Sequence, residues 1–221
     1  MKIFTISCFL LLSISLFGQY ASSADSDPKA LSMLEEIKDN FYNAPGHEIN
    51  FSLDIELPGQ STETQKGHLI QSKENFVLDL ELQKIISDNT TAWLYLKEAN
   101  EVHINDVEIS EATDFMSPSD LFNLHKSKDY VFAISNYGQE DGKAITQIEC
   151  KPLSEDSDYS KMRLTIIDKD LSVKRLKVFS KDGSRFTMNI TDHNAEYKVT
   201  PAMFKFNVAD YEGVHVEDLR F

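Results

Sequence analysis

Between residues 49 and 104, apolar side chains fall on every second position in successive runs separated by polar turns. Ile49, Phe51, Leu53, Ile55 and Leu57 alternate with Asn50, Ser52, Asp54 and Glu56. Phe76, Leu78, Leu80 and Leu82 repeat the pattern against Asp79 and Glu81, and residues 92–96 and 102–104 continue it. A period of two describes strands with one apolar and one wet face. Connections as short as Asp88-Asn89 and Ala99-Asn100 exclude parallel crossovers, so these strands form an antiparallel meander. The rhythm returns at residues 130–134, 145–150, 162–166, 173–179 and 186–190. Tyr197 and Val199 suggest one more strand, and Phe204 and Phe206 follow the Thr200-Pro201 turn. Ser154 to Asp158 is an acidic hairpin tip, and Asp182-Gly183-Ser184 is a turn between strands.

Only two helical pieces stand outside this pattern. Asp27 is placed to cap a helix whose first residue is Pro28, and Leu31, Leu34, Ile37 and Phe41 recur at helical spacing before Asn43-Ala44-Pro45-Gly46 ends it. Ser117-Pro118-Ser119-Asp120 starts the second, with Leu121, Phe122 and Leu124 as a short apolar face. The chain therefore reads as mainly β, with about eleven strands. A single antiparallel sheet that wide tends to curl or close. Covered by only two short helices, a curved sheet would keep an apolar groove. Two mutually covering sheets fit the same alternation and need no ligand. Pattern alone leaves both open.

The first residues limit the setting. Lys2 precedes an apolar run from Ile3 to Phe17, and Ser22-Ser23-Ala24 offers a small-residue exit. This reads as a signal peptide over residues 1–24, cleaved after Gly18, Ala21 or Ala24. The run is short for a membrane span. Residues 25–221 are expected to form one domain. Of the two cysteines, Cys8 lies in the leader, which leaves Cys150 without a partner and rules out a disulfide framework. The formal net charge of −14 opposes binding to nucleic acid and to anionic membranes. A neutral or apolar partner is expected.

Catalytic signatures are missing. The six histidines are not spaced for a metal, neither HExxH nor CxxC occurs, and no GxSxG elbow is present. Cys150 reads as a small buried hydrophobe. The eight glycines are scattered, so there is no phosphate-cradling loop, and Trp93 is the lone tryptophan for sugar stacking. A carboxylate pair of the glycosidase type stays open on sequence alone. No metal and no cofactor are expected.

One succession of features is more specific. Gly67 opens a run leading to Phe76, then Ile85-Ile86-Ser87-Asp88, Trp93-Leu94-Tyr95 and Asn100-Glu101-Val102. Near the end come Pro201, Phe204-Lys205-Phe206, and Gly213-Val214-His215-Val216-Glu217-Asp218. In order and spacing this resembles the LolA family of periplasmic lipoprotein carriers, across essentially the whole chain after the leader. The resemblance implies an incompletely closed β-barrel with a helical lid over an apolar cavity. It implies a non-catalytic, periplasmic and monomeric carrier of lipoprotein acyl chains. An inner-membrane lipoprotein-releasing transporter would be the donor and an outer-membrane protein the acceptor.

By matching positions, Phe76, Leu78 and Leu80 are expected on the concave surface, with Phe51 and Leu53 beside them and Trp93 aligned with the family's tryptophan. Ile55, Phe132, Ile134, Met162, Leu164, Phe186 and Met188 complete the expected cavity from the remaining apolar strand faces. Leu34, Ile37, Leu121 and Phe122 are expected on the lid. The sequence departs from the family where an arginine usually reaches lid carbonyls. Ser72 stands there, followed by Lys73, and a hydroxyl offers one donor where a guanidinium offers five. Asn89-Thr90 also replaces a Gly-Lys turn. A carrier of a glycolipid, a hydrolase and a plain interaction module are the competing readings.

Overall fold

A computed structural model describes residues 22–107 and 123–220. Twelve strands form one sheet: β1 (His47–Glu56), β2 (Glu63–Ser72), β3 (Asn75–Asp79), β4 (Gln83–Ser87), β5 (Thr91–Leu96), β6 (Glu101–Asp106), β7 (Tyr130–Glu140), β8 (Lys143–Pro152), β9 (Tyr159–Ile167), β10 (Ser172–Ser180), β11 (Arg185–Asn194) and β12 (His215–Asp218). Their order is β12-β6-β5-β4-β3-β2-β1-β11-β10-β9-β8-β7. Each half is a meander of hairpins, and the halves join where β1 pairs with β11. All pairs are antiparallel except β12 with β6. Among the described residues the edges are β12 and β7, and the sheet does not close.

The turns explain the tight register. Asn89 and Asn100 sit at φ +68° and +50°, a left-handed conformation that asparagine tolerates. Asp88 Oδ1 accepts from the Thr90 and Thr91 amides at 3.1 and 2.9 Å. In the β10–β11 turn, Gly183 takes φ +92° and the Ser180 amide donates to the Ser184 carbonyl at 3.0 Å.

Helix α1 (Pro28–Asn43) begins as the sequence suggests, with the Asp27 side chain accepting from the Lys29 amide. Its start is tied to β7: the Asp27 amide donates to the Phe132 carbonyl at 2.8 Å, and Ser26 Oγ accepts from the Phe132 amide at 3.1 Å. Ala30, Leu34 and Ile37 then pack on Phe132, Ile148, Cys150, Met162 and Ile166. One turn on, Phe41 packs with Ile49, Phe51, Leu69, Phe76 and Leu78. The stripe read at helical spacing is thus the face that meets the sheet.

The other face of β3–β6 is covered by the chain's end. Phe204 and Phe206 pack with Val77, Ile86 and Val102, and Phe206 stacks on Tyr211 with ring centroids 4.4 Å apart. The closing motif is therefore a structural cover. Two expectations need correction here. Residues 197–199 are not a strand; only an isolated bridge joins Gly46 and Glu196. The twelfth strand is instead β12, exposed along its length, so burial gave it no alternation to read. The expected second helix around Leu121 and Phe122, and residues 1–21 of the expected leader, lie outside the described residues.

Candidate apolar binding site

A narrow cavity of about 70 Å³ lies between α1 and the sheet. Leu34 and Ile37 of α1 form one wall, and Leu124 and His125 close another. The floor runs from Leu69 and Gln71 on β2 to Phe132 on β7, through Met188, Leu176, Leu164 and Met162. Five strands separate β2 from β7. A flat sheet at ~4.8 Å per strand would hold them roughly 29 Å apart. Shared lining of one cavity therefore requires a strongly curved sheet, an open half-barrel.

Alternation sorts the expected site residues between the faces. Phe132, Met162, Leu164, Met188, Leu34 and Ile37 line the cavity. Ile134 packs at its margin with the α1 cluster. Phe51, Leu53, Phe76, Leu78 and Leu80 share the concave face but gather under Phe41, so helix α1 already covers them. Ile55 pairs across with Phe186, and Phe186 borders the loops at Glu155–Asp158 and Lys181, away from the cavity. Leu121 and Phe122 fall outside the described residues.

Trp93 is the one expected cavity residue on the wrong face. It pairs with Ile86 and Ile104 and packs in the outer cluster with Phe204 and Phe206. Its strand neighbours Leu94 and Ala92 face the other way, because successive side chains alternate. As the single tryptophan, it gives a clean readout. Filling the cavity with an acyl probe should leave the Trp93 emission maximum in place. A shift of several nanometres would put the probe on the outer face.

Sequence reasoning missed Ile49, Leu69, Gln71, Cys150, Val173, Leu176 and Ile190 as lining. The signal was available for most of them. Ile49 lies on the same alternating face as Phe51, and Leu176 pairs across with Met188. Burial pushes the Cys150 thiol up to about 12, so it acts as a wall and not as a nucleophile.

Polar contacts fasten α1 over this space. Glu35 bridges Lys38 of its own helix and His125 of the Leu124–Lys126 turn, and Lys126 Nζ lies 3.8 Å from it. The hydrogen bonds from Lys38 and His125 hold the Glu35 carboxyl down to about 2. At the family's arginine position, Ser72 Oγ donates to the Pro45 carbonyl just beyond α1, at 3.2 Å. Arg163 pairs with Glu149, Arg175 with Glu140 and Arg185 with Glu56.

At the end of α1, His47 stacks on Phe41 with centroids 3.8 Å apart. Its Nε2 lies 2.8 Å from the Phe41 carbonyl, which can only accept, so the proton sits on Nε2. Nδ1 then accepts from His193 Nε2 at 2.9 Å. Burial lowers the His47 pKa below its ordinary 6.5. The unfolded chain therefore takes up a proton that the folded chain refuses, and stability is lost as pH falls below 6.5. Melting temperature should begin to drop as pH falls below 6.5, above the usual carboxylate range. His193, whose pKa burial also lowers, adds to that slope; His47→Asn should reduce it, and an unchanged slope would exclude His47 as a source.

Among the described residues, Glu101, His103 and Glu217 are the one group close enough to hold a metal ion together. They lie on β6 and β12, four and five strands beyond β2 in the sheet order, and His103 is already hydrogen-bonded to Glu101 at 2.8 Å. No helix among the described residues is long and apolar enough to cross a membrane.

Comparison with known proteins agrees with this geometry. The family model described as "Outer membrane lipoprotein carrier protein LolA" matches residues 58–207, from the β1–β2 turn through Asn207. An uncharacterized conserved protein from Thermus thermophilus superposes with TM-score 0.58 at 10% identity, over 86% of this chain and 99% of that one. A LolA superfamily protein from Nitrosomonas europaea gives TM-score 0.44 at 12% identity, over 80% and 97%. The Mycobacterium tuberculosis lipoprotein LppX gives 0.45 at 11%, over 79% and 100%. At such identities the likeness concerns fold alone, and only the first is near enough to carry it. No curated protein matches the sequence. The family match spans most of the chain and runs through the strands that build the half-barrel, so the protein belongs to the LolA family of outer membrane lipoprotein carrier proteins.

Proposed function

We propose that the protein is a periplasmic carrier that holds acyl chains of lipoproteins between α1 and the concave sheet, and that it catalyses no reaction. The observation that carries this reading is the cavity. Its lining is aliphatic, aromatic and sulfur-containing except for Gln71 and His125, and it occurs in a chain of a lipoprotein carrier family. An acidic chain of formal charge −14 suits a shuttle that must leave an anionic bilayer.

Magnitudes constrain how the cargo is held. Burial contributes ~0.8 kcal/mol per CH₂. Three fully buried chains of about sixteen carbons would total roughly 40 kcal/mol, about twice the ceiling for reversible binding, ~20 kcal/mol. A carrier must release its load, so burial is partial. Moving Leu34, Ile37 and Leu124 off the sheet offsets part of the gain. These residues act as a plug that the acyl chain displaces, and the Glu35–His125 contact is the catch that holds the plug.

Native mass spectrometry of the protein purified from its own cell envelope tests this directly. The expected adduct has the mass of an acylated polypeptide. An adduct of lipid or glycolipid mass would keep the cavity reading and replace the cargo. Absence of any adduct, together with no uptake of a fluorescent fatty acid, would overturn the carrier reading.

A further inference from the structure

Two buried side-chain atoms have no hydrogen-bond partner among the described residues, Gln71 Oε1 and Thr187 Oγ1. Only Gln71 borders the cavity. Its side chain is 0% exposed, deeper than any polar group of an apolar wall needs to be. Gln71 Nε2 donates to the Lys73 carbonyl at 3.0 Å. That bond fixes the amide orientation, since a flip would set two oxygens against each other. The neighbours cannot satisfy Oε1. His47, directly across on β1, has both ring nitrogens engaged with Phe41 and His193, and Phe76 faces it from β3. A buried acceptor left unpaired costs more than an ordinary hydrogen bond gains. A leucine there would remove the cost and keep the wall apolar.

We propose that Gln71 Oε1 is the polar subsite of this cavity and accepts a hydrogen bond from an N–H or O–H donor on the ligand. The inference rests on the acyl-binding reading and narrows its ligand class. The preferred ligands carry a donor at the root of a long apolar chain, as an amide-linked or hydroxylated acyl group does. A chain attached only through an ester offers acceptors and no donor, and leaves Oε1 unsatisfied. Discrimination of this kind is strong because the site's own buried group goes unpaired with the wrong ligand.

The test uses three matched probes: N-methylpalmitamide with one N–H, methyl 2-hydroxypalmitate with one O–H, and methyl palmitate with neither. Each displaces a fluorescent fatty acid from the full chain, from Gln71→Leu and from Gln71→Met. The wild type is expected to bind at least one donor-bearing probe about tenfold more tightly than methyl palmitate, the size of one well-formed hydrogen bond. Preference for the amide alone assigns an amide-linked chain, and preference for the alcohol alone a hydroxyacyl chain. Both variants should lose the preference, the donor-bearing probes falling to the affinity of methyl palmitate. Equal binding of all three probes by the wild type, or a preference that survives either variant, overturns the proposal and leaves acyl binding intact. Failure of every probe to bind overturns both readings. The wild-type comparison stands even if neither variant folds.

Discussion

Replacing Leu176 by tryptophan should reduce affinity for a fluorescent fatty acid by tenfold or more while leaving the melting temperature nearly unchanged. Leu176 lies in the middle of the cavity floor, paired across the sheet with Met188 and Leu164, and all three line the cavity. Leu176 borders the cavity as well as packing against the α1 cluster, so an indole there takes up cavity space and its overpacking cost stays at the low end of ~1–3 kcal/mol. It occupies volume that a chain would fill. Excluding about three methylenes removes ~2.4 kcal/mol of burial, and each ~1.4 kcal/mol is a factor of ten in affinity. Titration of the variant beside the wild type, with a thermal melt of each, checks both halves. A variant that binds normally would place the acyl chain elsewhere.

The opposite separation is expected from Ile148→Ala. Ile148 is 0% exposed and packs in the cluster that joins α1 to β7–β9, with Ala30, Leu34, Phe132 and Cys150. It is not among the residues that border the cavity. Truncation removes three carbons and leaves a void that close-packed neighbours fill only in part, at a cost of ~2–5 kcal/mol. For a chain of this size each kcal/mol lowers the melting temperature by about 2–4 °C, so a fall of roughly 5–15 °C is expected. Ile148→Val should cost about 0.5–1.5 kcal/mol. The folded fraction should still bind the fatty acid. A loss under about 1 kcal/mol for Ile148→Ala would mean that α1 is not seated on β8 as described.

How far the sequence carried these conclusions follows from what each element had to bury. Where one face is packed and the other wet, period-two alternation reports the strand and its inward side together. So β1, β3, β9 and β11 were legible, as was α1 from Asp27, Pro28 and the Leu34–Ile37–Phe41 stripe. Element β12 was not, because every one of its residues is exposed. Tyr197 and Val199 misled for the related reason that an extended segment can bury an alternate residue without pairing: Val199 packs in the outer cluster while its backbone joins no strand.

The face of Trp93 was misassigned because two apolar faces exist on β3–β6. Phe76 and Leu78 turn inward, whereas Val77, Ile86 and Trp93 turn outward to meet Phe204 and Phe206. Apolar content therefore no longer marks the concave side there. Gln71 escaped notice for a physical reason as well. A glutamine at the end of an alternating run reads as a solvent residue, and only the curvature that buries it reveals an unpaired acceptor in a cavity-lining residue. The cavity itself follows from curvature across seven strands, a property of twist and register that no local pattern states.

The most direct measurement uses methionine methyl groups as reporters. Met162 and Met188 line the cavity, whereas Met203 is 37% exposed in the Pro201–Phe204 turn on the outer face. With the methyls labelled for NMR, stearic acid carrying a nitroxide near its chain end is added at one equivalent. Acyl binding between α1 and the concave sheet predicts strong broadening of the Met162 and Met188 signals, with Met203 unaffected. Broadening of Met203 with Met162 and Met188 left sharp would contradict it.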